Sequence, residues 1–134
     1  MTSPLRVIGA DRVDIEGDQV SLLITRCLDC ASSWFPAREQ CSRCGGTRVD
    51  GDRISGQGTV YASTTVHIGA GAFPTPYALS YVDVEDIRLL AHTRSVRPLA
   101  PGTPVVLVLG EVGADGTGAL WSYVAVPRTD GEVA

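Results

Sequence analysis

Four cysteines, arranged as Cys27-x-x-Cys30 and Cys41-x-x-Cys44 with ten residues between the pairs, constrain this chain more than any other feature, and they are all the cysteines it has. A Cys-x-x-Cys turn aims two thiolates at one centre. Two such turns supply a complete tetrahedral shell with no open position for a substrate, which is the composition of a structural site. Disulfides and a redox dithiol are the competing readings. No signal peptide is expected ahead of the cysteines, because Met1-Thr-Ser-Pro-Leu-Arg6 has neither a basic start nor an apolar stretch. A cytoplasmic location follows, where disulfides seldom persist. A thioredoxin-like site needs one Cys-x-x-Cys opening a helix in a βαβ pattern, and no such pattern is found. The expected cofactor is therefore structural zinc on Cys27, Cys30, Cys41 and Cys44. Iron fits the same sulfur set, and availability favours zinc.

The rest of the sequence reads as all-β. Fifteen glycines and eight prolines cut 134 residues into short pieces rich in β-branched and aromatic side chains. Residues 1–19 are expected to be a short lead-in with a turn at Glu16-Gly17-Asp18. Val20 to Arg26 should be a strand running into Cys27, and Ala31 to Ala37 should lie back against it, making a ribbon over 20–53. Five strands are expected over 54–127: Gly58 to His67, Tyr77 to Val84, Ile87 to Arg94, Pro104 to Gly110 and Leu120 to Val126. A glycine-rich loop, Ile68 to Pro76, follows the first of them. Five strands of this length suit a small OB-fold barrel, with a six-stranded barrel or a small sandwich as the alternatives. A polar tail, 128–134, completes the chain.

The formal charge is −4, from eleven basic residues, all arginine, against fifteen acids. That balance argues against nucleic acid as the main partner, since phosphate binding needs a basic face. No apolar run approaches bilayer length, so no membrane role is expected.

The order of motifs carries a resemblance. Arg26-Cys-x-x-Cys30, Trp34-Phe35-Pro36-x-Arg38, Cys41-x-x-Cys44, Gly56-x-Gly58-x-Val60-Tyr61 with Thr64-Thr65, Pro76-Tyr77, Arg88-Leu-Leu90 and Pro101-Gly102 before Val105-Val106 together resemble the DUF35 family. The resemblance covers about residues 19–127. It implies a rubredoxin-like zinc ribbon followed by an OB-fold, and a non-catalytic accessory subunit of a thiolase-superfamily enzyme handling acyl-CoA. A MaoC-like hydratase is a further partner implied by some relatives. Two departures stand out. Fewer residues precede the ribbon than in many relatives, and the hairpin turn reads Val84-Glu-Asp-Ile-Arg88 where the family pattern leads one to expect a glycine.

On that reading, Trp34, Phe35, Arg38 and Arg43 are candidate contacts to the partner or to CoA. An aromatic pair between metal turns more often packs a ribbon core, and surface arginines are usually solvated. His67 and His92 lack a visible catalytic partner. Gly69-Ala-Gly71 lacks the lysine and following helix of a phosphate cradle. Ser32, Ser33 and Ser80 lack the setting of a nucleophile. The alternative function is an OB-fold single-stranded nucleic-acid module using Tyr61, Tyr77, Tyr81, Trp121 and Tyr123 as stacking platforms.

Overall fold

The computed structural model describes residues 5–69 and 71–128. Among the described residues the fold is all-β, with one 3-10 turn at Ala10–Arg12 and nine strands: β1 Val13–Glu16, β2 Gln19–Cys27, β3 Ser33–Trp34, β4 Val49–Ser55, β5 Gln57–Val66, β6 Tyr77–Val84, β7 Ile87–Thr93, β8 Pro104–Asp115 and β9 Gly118–Pro127.

β5 to β9 close a five-stranded barrel. β5 pairs antiparallel with β6, and β6 with β7. β7 then runs parallel to β9, β9 pairs with β8, and β8 returns to β5. This is the OB-fold order, and closure leaves no free barrel edge. Alternation drives it. In Tyr77-Ala-Leu-Ser-Tyr-Val-Asp-Val84 every second residue is buried, and in Ile87-Arg-Leu-Leu-Ala91 the inward set is Ile87, Leu89 and Ala91.

β2 is the spine of the N-terminal lobe. It pairs with β1 and β3 along one side and with β4 along the other. At Leu22 it faces Val13 and Ile54 at once, so this fully buried leucine sits at the centre of a three-stranded sheet. Val13, Val20, Leu22, Ile24 and Ile54 join Val60, Val82, Val84, Ile87, Leu89, Val105 and Leu107 in one continuous core. Lobe and barrel therefore stabilise each other through shared apolar burial. Their backbones meet where Gln19 pairs with Val108 and where Leu107 N–H donates to Gly56 O at 2.8 Å. Glycine is required at that seam, because a Cβ on residue 56 would lie 2.4 Å from Val20 O.

Four features differ from the sequence expectation. Residues 13–16 form β1, and residues 49–55 form β4, both held by β2 rather than by strong patterns of their own. β3 is only two residues long. β8 continues five residues past Gly110, with a bulge between Glu111 and Gly113. There the glycine-rich loop docks: Ala114 N–H donates to Ala72 O at 3.0 Å, and a Cβ on Gly113 would meet that oxygen at 2.1 Å.

Candidate metal centre and adjoining surface

The two Cys-x-x-Cys segments are the same turn built twice. Ala31 N–H donates to Cys27 O and Gly45 N–H to Cys41 O, both at 2.9 Å. Cys27 N–H donates to Ser32 O and Cys41 N–H to Gly46 O, both at 2.8 Å. Each turn closes through a left-handed residue, Ala31 at φ 64° and Gly45 at φ 77°. In the second turn the amides of Arg43 and Gly46 donate to Cys41 Sγ and Cys44 Sγ, each at 3.4 Å.

The four Sγ atoms lie within 4.8 Å of one another. Cys27 and Cys44 are 3.6 Å apart, and Cys30 and Cys41 are 3.5 Å apart. A tetrahedron with metal–sulfur bonds of about 2.3 Å has edges of about 3.8 Å, so the donor set fits a tetrathiolate ion. Ionisation points the same way. The Cys44 backbone, helped by the Trp34 indole and the Arg43 amide, lowers the Cys41 thiol to about 6. Against the pull of the Gly46 amide, the crowding thiols of Cys27, Cys30 and Cys41 together with burial push Cys44 up to about 12. Thiols this close cannot all shed their protons without a cation to neutralise them.

Trp34, Arg38 and Arg43 gather around Cys41. Trp34 Nε1–H donates to Cys41 Sγ at 3.4 Å, the Arg38 guanidinium lies 5.1 Å from the indole centroid, and Arg43 reaches the same sulfur through its backbone. Phe35 is not with them. Its ring packs edge-on against Tyr123 of β9 at 6.3 Å, tying the ribbon to the barrel. A shallow groove is lined by Ala31, Ser32, Ser33, Trp34 and Arg43 together with Asp86 of the β6–β7 turn.

That turn explains the absent glycine. Glu85 itself takes the left-handed conformation, φ 52°, and its carboxylate accepts from Arg26 Nη2 at 3.2 Å. Arg26 also reaches Asp52 and Ser33, a convergence that its position beside Cys27 does not reveal.

The remaining candidates separate. His67 is exposed just past β5. His92 is half-buried in an aromatic cluster, 5.0 Å from Phe73 and 5.3 Å from Tyr77, and burial lowers its pKa. Ser80 is buried, and its hydroxyl donates to Ser63 Oγ at 2.9 Å. Tyr61 and Tyr81 are exposed on the barrel exterior with Leu90, which stands opposite Tyr81. Arg88 lies 3.4 Å above the Tyr61 ring and makes a two-pronged ion pair with Asp83 at 2.7 and 3.1 Å. Tyr77 and Tyr123 are committed to internal ring contacts. Among the described residues, no helix is long and apolar enough to cross a membrane.

Known proteins resemble the chain in both parts. The ChsH2 rubredoxin-like zinc ribbon domain matches residues 16–50, and the ChsH2 C-terminal OB-fold domain matches residues 52–110. A DUF35 domain-containing scaffold protein of Methanocaldococcus jannaschii is 27% identical over 112 residues, covering 79% of each chain. The benzoylsuccinyl-CoA thiolase subunit BbsA of Thauera aromatica is 30% identical over 79 residues, 58% of this chain and 52% of that one, so the match spans about half of the thiolase subunit. The solved structure titled Ltp2-ChsH2(DUF35) aldolase superposes with a TM-score of 0.59 at 29% identity, covering 78% of this chain and 84% of its counterpart. With both domains matched in order and the four thiols clustered in the first, the chain belongs to the DUF35 family.

Proposed function

We propose that this protein is a non-catalytic accessory subunit that docks on a thiolase-superfamily enzyme acting on acyl-CoA or a related acyl thioester, in the cytoplasm. Zinc on Cys27, Cys30, Cys41 and Cys44 would hold the ribbon and, with four thiolates bound, take no substrate. The observation that carries the reading is the exposed stripe of Tyr61, Tyr81 and Leu90 on the outside of the barrel, at 53%, 48% and 45% exposure. Exposed aromatic and aliphatic side chains beside an organised arginine have the make-up of a docking surface. The names of the relatives support the identity of the partner, one being a thiolase subunit and another an aldolase complex. Trp34, Arg38 and Arg43 extend this footprint onto the ribbon, while Phe35 serves the joint between the two parts.

Co-expression with the product of an adjacent thiolase-like reading frame tests the reading. The two chains should co-elute in size-exclusion chromatography, and Tyr81→Ala with Leu90→Ser should separate them without loss of folding. Separate elution of the unaltered chains contradicts it. The nucleic-acid alternative predicts salt-sensitive binding of a labelled single-stranded oligonucleotide in fluorescence anisotropy.

A further inference from the structure

We infer that Arg26 is the positioning residue that fixes the ribbon's orientation on the barrel. Arg26 stands on β2 one residue before Cys27. Its Nε–H donates to Asp52 of β4 at 3.1 Å and its Nη1–H to Ser33 of β3 at 2.9 Å. Nη2–H donates to Glu85 at 3.2 Å, and Nη1 is 3.8 Å from Asp86. One planar guanidinium thus serves two acceptors in the ribbon lobe and two in the β6–β7 turn of the barrel. A lysine ammonium has no fork to span them.

Three observations raise this above an ordinary surface ion pair. Asp52, Glu85 and Asp86 converge on the one guanidinium, so its removal leaves three carboxylates facing one another. Glu85 holds a left-handed backbone that favours glycine, in the very residue whose carboxylate reaches Arg26. The location also matters. The ladder pair joining the lobe to the barrel, Gln19 with Val108, is at the far end of β2, seven residues or roughly 23 Å from Arg26. At the metal end the polar link is Arg26, beside the Phe35–Tyr123 ring contact. The groove between Trp34, Arg43 and Asp86 draws its lining from both sides of this joint. The inference rests on the fold and is independent of the partner's identity.

Residual dipolar couplings of the zinc-loaded chain test it. Amides of the ribbon (27–48) and of β6–β7 should fit one alignment tensor in the unaltered protein. In Arg26→Gln the ribbon couplings should need a separate tensor of reduced magnitude, with zinc stoichiometry and barrel chemical shifts retained, and Arg26→Lys should not restore the single tensor. Should Arg26→Gln fail to fold, Glu85→Gly with Asp86→Ala removes only the barrel acceptors, keeps a residue suited to the left-handed turn, and should separate the tensors in the same way. A single unchanged tensor in the folded variant overturns the assignment.

Discussion

Metal removal should melt one segment and spare the rest. Between residues 28 and 48 Cys41 is the only fully buried side chain and Phe35 is the one residue packed against the core, so this stretch has little apolar burial to offset the ordering of its backbone. Structural zinc contributes about 10–16 kcal/mol in zinc-finger peptides, against about 5–15 kcal/mol for a whole domain. Chelation should therefore unfold 28–48, while the core around Leu22, Val82 and Leu107 keeps the barrel and the base of the lobe intact. The two tryptophans make this measurable. Trp34 donates to Cys41 Sγ, whereas Trp121 lies on β9, so Trp121→Phe leaves one reporter in the ribbon. Its emission should shift red with a strong chelator, while far-UV circular dichroism retains the barrel signal. Cys41→Ser should mimic chelation more closely than Cys44→Ser, because Cys41 is buried and its sulfur accepts from two N–H groups, whereas Cys44 is exposed. Unchanged Trp34 emission after elemental analysis has confirmed metal loss would refute the reasoning.

Gly113→Ala should cost about 1–3 kcal/mol in urea unfolding, since the new methyl collides with Ala72 O and forces the loop off β8; a loss under a few tenths would contradict that contact. Ala31→Gly should raise ribbon stability by up to about 1 kcal/mol, relief of the left-handed strain at φ 64° exceeding the entropy that glycine gains on unfolding, and a lower chelator resistance would count against it. His92 has a folded pKa lowered by burial from an ordinary 6.5, so the unfolded chain takes up that proton first. Its contribution to stability is complete above pH 6.5 and falls as the pH drops through the folded value. Glu111 and Arg94 line the hollow beside it. His92→Gln should flatten the stability profile between pH 7 and 5, and an unchanged slope would show that other groups set it.

Much of this architecture was legible in the residues. The two-residue period of Tyr77 to Val84 matched the observed burial position by position, and the spacing of the cysteines anticipated four sulfurs around one point. β4 was not legible. Val49-Asp-Gly-Asp-Arg-Ile-Ser55 buries Ile54 alone, and it is a strand because seven residues of β2 offer it a ladder, a tertiary effect stronger than its own propensity. β1 is similar, with a pattern too short to read before its partner is known. The same limit hid the joint. Arg26, Asp52 and Glu85 are far apart in sequence, and only the closure of the barrel brings the β6–β7 turn to the ribbon. Glu85 in a place suited to glycine was visible as a departure, and the ion pair supplies its physical reason.

As proposed above, the chain would contribute shape and adhesion while a thiolase-like partner makes and breaks bonds. Acyl-thioester turnover measured for the purified zinc-loaded chain, for the thiolase-like partner and for the two mixed tests it most directly. No turnover by the chain alone and a higher rate for the mixture than for the partner alone are expected. Turnover by the isolated chain at a rate matching the mixture would contradict it.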